Sequence, residues 1–100
     1  MNIEKEFEDI QMDSSIEQYL LYMPEISSEI PIQVYVYMTP QKKYRAICNL
    51  VICTRIYGGE FPLGEGLSSM EALQNLISRI IYYYQRNKDQ GFDVEYDDLF

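Results

Sequence analysis

The feature that most limits how this chain can fold is a helix signature between residues 68 and 84. Ser68 is followed three residues later by Glu71, a capping box that marks a helix N-terminus. Large apolar residues then recur at intervals of three and four, which places them on one side of a helix. Such a helix must bury that side, so the pattern predicts a helix lying on a sheet. The residues of this predicted stripe are Leu73, Leu76, Ile77, Ile80, Ile81 and Tyr84.

Strand patterns precede this helix. Residues 32–39 alternate, with the apolar side chains at the even-numbered positions, which is typical of a half-buried strand. Residues 43–57 form a β-branched, apolar run that is much longer than an ordinary strand of about five or six residues, so we expect a bend or bulge near Asn49. The Gly-Gly pair at 58–59 predicts a hairpin turn that leads into a third strand at about residues 60–64.

A second helix is predicted before the strands. Ser14 and Glu17 have the spacing of a capping box, and apolar residues follow at helical intervals up to Pro24. We therefore expect an α+β fold with the order αβββα, in which a three-stranded antiparallel sheet has helices packed on one face. Residues 1–90 would form this single domain, and residues 91–100 would form an acidic, aromatic C-terminal tail.

Charge is distributed unevenly along the chain, whose net charge is −8. Residues 1–30 carry eight acids and one lysine, residues 31–58 carry four basic residues and no acid, and residues 89–100 carry five acids. The acidic total disfavours nucleic acid and anionic membranes as partners, because like charges repel at long range. The N-terminus is acidic where a signal peptide is basic, and no apolar run approaches the roughly 20 residues of a membrane span. We therefore expect a cytoplasmic protein.

The residue types needed for familiar catalytic and metal chemistry are scarce. The chain has no histidine, which removes the usual general base, triad member and zinc ligand. Cys48 and Cys53 are separated by about 16 Å of predicted strand, which is beyond disulfide reach. No Gly-x-x-x-x-Gly-Lys phosphate loop is present. We therefore expect no enzymatic activity, no cofactor and no metal, and two reduced cysteines.

The junction between the third strand and the C-terminal helix resembles that of a known family. Gly64-Glu65-Gly66 and the Ser-Ser-Met-Glu-Ala sequence at 68–72 are similar to the Gly-Glu-Gly turn and Ser-Lys-Lys-Glu-Ala-Lys helix start of double-stranded RNA-binding domains. The resemblance covers residues 44–81 and implies the same αβββα order. In that family the helix-start lysines reach phosphates across the major groove. Because these lysines are absent here, we expect the turn to start a helix and to hold no phosphate. The lysine positions are occupied by Ser69, Met70 and Leu73.

The leading functional hypothesis is a small, non-enzymatic protein-interaction module, either an adaptor or an inhibitor. The three tyrosines at 82–84 cannot all face one core, so the first two are candidates for an exposed interface. The tail alternates acids with apolar residues, which suits a segment that orders on a basic partner or imitates a nucleic-acid backbone. The tyrosines could instead pack internally, and the tail could be solvated or fold back on its own chain. The candidate residues for binding another protein, or a second copy, are Tyr82, Tyr83, Phe92, Tyr96, Asp97, Asp98, Leu99 and Phe100.

A second hypothesis is nucleic-acid binding through strands 33–45. Two tyrosines on one face of the first strand lie near a basic hairpin, where they could stack on single-stranded bases. The simpler alternative is that tyrosine suits a strand surface and that the lysines keep an edge soluble. A third hypothesis is a small nucleotide held between subunits. The candidate residues for nucleic acid are Tyr35, Tyr37, Lys42, Lys43 and Arg45.

Overall fold

The computed structural model describes residues 16–55 and 58–97, which form an α+β fold. Four strands make one sheet in the order β1-β2-β3-β6, and three make a second sheet in the order β5-β4-β7. Neighbouring strands are antiparallel throughout both sheets. In chain order, the elements of the described residues are β1 (Glu17–Leu21), β2 (Ile32–Met38), β3 (Tyr44–Cys48), β4 (Leu50–Thr54), β5 (Gly58–Glu60), β6 (Leu63–Gly66), α1 (Ser69–Asn87) and β7 (Asp93–Tyr96).

β3 and β4 are two halves of one strand that bends at Asn49. The Asn49 N–H donates to the Gln33 carbonyl at 3.1 Å, and the Asn49 side-chain oxygen accepts from the Gln33 N–H at 3.0 Å. The Asn49 carbonyl accepts from the Asp97 N–H at 2.8 Å. A bend interrupts the ladder between strands, and here one amide side chain supplies the partner that the backbone would otherwise lack. The bend predicted near Asn49 is confirmed.

The C-terminal helix α1 begins where the capping box predicts. The N-cap is Ser68, whose backbone is extended and whose Oγ accepts a hydrogen bond from the Glu71 N–H at 3.1 Å. The helix lies on the four-stranded sheet and contacts β6, β3 and β2. Most of the predicted stripe faces the sheet, because a helix on a sheet buries only the side chains directly beneath it. Of the stripe, Leu73, Leu76 and Ile80 are buried, Ile77 and Tyr84 are half-buried, and Ile81 is exposed.

The hydrophobic core lies between α1 and the sheets. The even-numbered residues of β2 face it as predicted, and only Met38, at the strand end, is exposed. Tyr44, which opens β3, packs against the edge of this core. The buried residues of the core cluster are Ile26, Ile32, Val34, Val36, Ala46, Cys48, Leu50, Ile52, Ala72, Leu73, Leu76 and Ile80.

Two glycines allow α1 to approach β6 closely. A Cβ atom at Gly64 would lie 2.2 Å from the Ala72 carbonyl oxygen and 2.4 Å from the Leu76 nitrogen. A Cβ atom at Gly66 would lie 2.8 Å from the Ala72 nitrogen and 2.7 Å from a side-chain carbon of Glu71. No side chain fits at these distances, so both positions need glycine for close backbone approach. The Gly-Glu-Gly motif therefore brings helix and strand together.

The predicted three-stranded sheet is wrong, because seven strands in two sheets are formed by the described residues. The long second strand is divided at Asn49, and the third is divided between β5 and β6 at Phe61 and Pro62. Proline has no N–H for the ladder and therefore favours such an interruption. The predicted hairpin is formed, because β4 pairs antiparallel with β5, but Gly58 and Gly59 lie in β5 opposite the end of β4 and not in the turn.

The helix predicted over residues 14–23 is wrong in the part that the structure describes, from Ile16 onward. β1 is a strand that pairs with β2, with Tyr19 opposite Val34. Tyr19 and Leu21 pack against the core, while Leu20 is exposed. The spacing of the apolar residues fits a short helix as well as a strand, and the edge of β2 provides a hydrogen-bond ladder that an isolated short helix lacks. α1 is therefore the single helix of the described ranges, rather than one of two.

The first half of the predicted C-terminal tail takes part in the fold. β7 pairs with β4, with Val94 opposite Ile52. Val94 and Tyr96 pack against the core. For residues 93–96, the alternative in which the segment folds back on its own chain is therefore the one that the structure shows. Residues 98–100 lie outside the described ranges.

Candidate functional site

The aromatic residues of the C-terminal segment are engaged inside the fold. The Phe92 ring meets the Tyr84 ring edge-on, with centroids 5.6 Å apart and an interplanar angle of 89°. The Tyr96 hydroxyl lies 2.6 Å from Ser27 Oγ, within hydrogen-bond distance. Both rings pack against the core and are half-buried, which leaves them little surface for a partner. Of the remaining candidates of this segment, Asp97 is half-buried and its N–H donates to the Asn49 carbonyl, whereas Asp98, Leu99 and Phe100 lie outside the described residues.

Tyr82 and Tyr83 stand side by side near the C-terminal end of α1, with ring centroids 5.8 Å apart. Tyr82 is 51% exposed, whereas Tyr83 is half-buried against the core. Two guanidinium groups flank the rings. The Arg79 guanidinium carbon lies 5.8 Å from the Tyr82 centroid and 5.9 Å from the Tyr83 centroid, and Arg86 lies 5.4 Å and 5.1 Å from the same centroids. Cation–π attraction holds these side chains together.

The charges of this region are unequally compensated. Arg86 forms an ion pair with Glu60 of β5. Glu65 of β6 is paired with Arg45 of β3 at 3.1 Å. Within the part of the chain that the structure describes, Arg79 makes no ion pair and its recorded contacts are the two tyrosine rings. Among the described residues, Arg79 is therefore the cation of this region that lacks an ion-pair partner.

A groove of about 520 Å³ runs between α1 and the outer edge of β6. Its floor is β6, and its wall is the polar side of α1, including the exposed Tyr82. Leu63, the first residue of β6, is 44% exposed at the open side of the groove. The lining is mixed, because Leu63 and Tyr82 stand beside polar and charged side chains. The lining residues are Leu63, Gly64, Glu65, Asn75, Ser78, Arg79 and Tyr82.

The edge of β6 along this groove has no strand beside it among the described residues, because β6 is the last strand of its sheet. The Asn75 side-chain amide donates to the Glu65 carbonyl at 2.6 Å, so that carbonyl points away from β3 and toward the groove. In an antiparallel strand the N–H and C=O of one residue point to the same side, and so do those of the residue two positions away. The backbone groups of Leu63 therefore point toward the groove as well.

The nucleic-acid candidates lie on a different surface, the sheet face opposite α1. Tyr35 and Tyr37 of β2 are half-buried on this face, with Arg45 opposite Tyr37. Partial burial alone would lower the pKa of Arg45, but a hydrogen bond with Tyr37 and the carboxylate of Glu65 together raise it. Arg45 is thus a compensated charge. The two lysines of the group are exposed in the β2–β3 turn, and Lys42 has a left-handed backbone with φ of 62°.

The residues of the groove were partly missed by sequence reasoning. Asn75, Ser78 and Arg79 lie off the predicted apolar stripe of the helix, and Leu63 lies within the predicted third strand, so neither pattern marks a binding site. The signal that the sequence offers is the tyrosine triplet at 82–84, which points to Tyr82 but not to its neighbours across the groove. The structure thus brings Tyr82 together with β6 and separates it from the nucleic-acid candidates.

Two further observations concern possible metal groups and membrane spans among the described residues. Within residues 16–55 and 58–97, no three or more cysteine, aspartate or glutamate side chains lie close enough together to hold a metal ion. No helix within the described ranges is both long and apolar enough to span a lipid bilayer.

Comparisons of the chain with protein-family models, with curated proteins and with solved structures find no match.

Proposed function

We propose that this protein is a non-enzymatic interaction module that binds an extended segment of another protein along β6. The observation that carries the proposal is an edge of β6 that no strand of the described residues covers, beside a groove in which Tyr82 is exposed. The segment would add a strand to the four-stranded sheet, as in other cases of β-strand addition. The double-stranded RNA-binding domain resemblance remains a hypothesis about the helix start.

Binding would combine backbone and side-chain contacts. The outward N–H and C=O of Leu63 and the outward N–H of Glu65 would bond to the added strand, while the Glu65 carbonyl keeps its hydrogen bond from the Asn75 amide. Alternate side chains of that strand would point to the two sides of the sheet. On one side they would meet Tyr82 on α1, and on the other they would meet the exposed Leu63 side chain. Tyrosine is an efficient anchor because it buries a large area and loses little side-chain entropy.

A selection from a random peptide library tests the proposal. Random 12-residue peptides displayed on phage would be selected on the immobilised full chain, and we expect enrichment of peptides with an apolar residue at every second position. Binding of an enriched peptide should slow hydrogen exchange at the Leu63 and Glu65 amides, because these donate to an added strand. No enrichment, or enriched peptides that leave both amides unprotected, would contradict the proposal.

A matched pair of variants provides the control. Leu63→Pro removes the outward N–H, whereas Leu63→Ala removes only the side chain. We expect the proline variant to bind selected peptides about fivefold more weakly than the alanine variant, because one backbone hydrogen bond is worth about 1 kcal/mol. Equal affinities for the two variants would show that the peptides bind elsewhere. If the proline variant does not fold, hydrogen exchange at the Leu63 and Glu65 amides of the wild-type chain still shows whether the peptide binds along β6.

A second candidate function is nucleic-acid binding on the sheet face opposite α1. One observation favours it, since Tyr35, Tyr37 and Arg45 share this face. The pairing of Arg45 with Glu65 weighs against it, because that pairing leaves only the lysines of the β2–β3 turn for phosphates. A gel-shift titration with single-stranded oligonucleotides at low salt discriminates, since phosphate contacts weaken steeply as salt rises. Absence of a shift at low salt would dispose of this candidate.

Three further expectations remain predictions. A nucleotide ligand would raise the melting temperature of the chain, and a screen of nucleotides for such a shift tests it. A cytoplasmic location is supported by two free thiols, Cys48 and Cys53, which a reducing compartment maintains. Binding through Asp97, Asp98, Leu99 and Phe100 requires its own test, because truncation after Lys88 would also remove β7 and so perturb the fold.

A further inference from the structure

We infer that the segment bound along β6 carries a carboxylate that pairs with Arg79. This inference rests on the proposed function and specifies the chemistry of the partner. Arg79 lines the groove on α1, on the same side of the sheet as the helix-facing side chains of an added strand. A partner segment with an acidic residue at a helix-facing position would bring its carboxylate to this guanidinium.

The charges around the groove determine which partner fits. Arg86, which lies near the groove, is paired with Glu60. Glu65, the carboxylate in the lining of the groove, is paired with Arg45. Arg79 makes no ion pair within the described residues. An unpaired guanidinium in a groove is complementary to a carboxylate, which it can bind through two parallel hydrogen bonds.

The arginine is also held in place before a partner arrives. Its guanidinium lies within 6 Å of the centroids of two neighbouring tyrosine rings, at 5.8 Å from Tyr82 and 5.9 Å from Tyr83. Contacts of this kind reduce the rotamer freedom of a long side chain, so that less entropy is lost when an ion pair forms. The tyrosine pair therefore positions Arg79, and Tyr82 contributes its own exposed ring to the groove.

The net charge of −8 opposes the approach of an acidic segment at long range. Selectivity for a carboxylate must therefore come from the contact at Arg79 and appear as slower dissociation rather than faster association. The same net charge predicts that moderate salt accelerates association of an acidic segment, because salt screens the repulsion between the two molecules.

Three synthetic peptides test the inference on the full-length, isotope-labelled chain. They are capped octapeptides in which valine alternates with aspartate, with asparagine or with lysine. Amide chemical-shift titrations would give the dissociation constant of each and would show whether Leu63–Gly66 are perturbed. We expect the aspartate peptide to bind about tenfold more tightly than the asparagine peptide, which corresponds to about 1.4 kcal/mol.

Two variants remove the same charge at different places. Arg79→Gln should abolish the preference for aspartate, whereas Lys88→Gln should retain it, because Lys88 does not line the groove. Equal binding of the aspartate and asparagine peptides, or a preference for lysine, would overturn the inference and leave the proposed function intact. Loss of the preference in both variants would attribute it to overall charge and would also overturn the inference. Failure of all three peptides to perturb β6 would contradict the inference together with the proposed function.

Discussion

Replacing Gly64 with alanine should separate α1 from the sheet. The added Cβ atom would lie 2.2 Å from the Ala72 carbonyl oxygen, 2.4 Å from the Leu76 nitrogen and 2.9 Å from the Leu76 Cα. All three are backbone atoms of the helix, so no side-chain rotation can relieve the overlap. The helix as a whole has to move by about 1 Å before the contacts become acceptable.

The cost follows from what this movement exposes and loosens. Ala72 and Leu76 are fully buried on the side of α1 that faces the sheet, and both lose packing contacts when the helix moves away from the sheet. Overpacking of a core costs about 1–3 kcal/mol, and an overlap between backbone atoms belongs at the upper end of this range. We therefore expect a loss of about 3 kcal/mol, which in a domain of this size lowers the melting temperature by roughly 12–24 °C.

Thermal unfolding followed by circular dichroism measures the effect, and Gly59→Ala is the matched control. Gly59 also lies in a strand, its backbone is not left-handed, and its Cβ atom would meet only a side-chain carbon of Val51 at 3.5 Å, an ordinary contact. Alanine there should be neutral or stabilising by up to about 1 kcal/mol, because it restricts the unfolded chain. Similar melting temperatures for the two variants would refute the close approach of α1 to β6.

Three other predictions concern the bend, the core thiol and β7. Asn49→Ala should lower the free energy of unfolding by about 1–3 kcal/mol in urea titrations, because the Gln33 N–H is left without its acceptor; a change below 0.5 kcal/mol, well under the cost of an unsatisfied buried donor, would contradict this. Burial raises the pKa of the Cys48 thiol from 9.0 to about 11, so the neutral thiol's contribution to stability is complete below pH 9 and is lost as pH rises through 11. Cys48→Ala should reduce this loss of stability at high pH, and an unchanged pH profile of the free energy of unfolding would contradict the prediction. Tyr96→Phe should cost about 1 kcal/mol in the same titrations, because the contact with Ser27 Oγ is lost, and an unchanged midpoint would argue that the hydroxyls do not bond.

The helix, the buried face of β2 and the bend were predictable because each depends on residues close together in sequence. A capping box and an apolar stripe specify a helix through local hydrogen bonds and periodicity. An apolar run too long for one strand requires an interruption, and Asn49 is the polar residue within it that can satisfy backbone groups at a bend. The helix, the buried face of β2 and the bend form as predicted because tertiary packing favours the same local conformations.

The first helix and the three-stranded sheet were predicted wrongly because local patterns do not decide strand pairing. Residues 17–21 have apolar spacing that suits either a helix or a strand, and the free edge of β2 selects the strand. The acidic segment at 93–96 reads as a tail, yet the edge of β4 accepts it as a strand. Both outcomes depend on edges formed by residues distant in sequence, which a single sequence does not reveal.

The candidate site was predictable only through Tyr82, since the tyrosine triplet requires at least one exposed ring. The rest of the groove depends on the position of α1 over β6, where Leu63 and Arg79 line the same groove although they are sixteen positions apart in sequence. The sequence alone determined where the helix starts, which side of it is apolar and where the long strand bends, because these are consequences of local backbone chemistry. The tertiary structure decided which strand edges pair, where β6 lies against α1 and which charges form ion pairs, because these depend on distances between residues that only the folded chain sets.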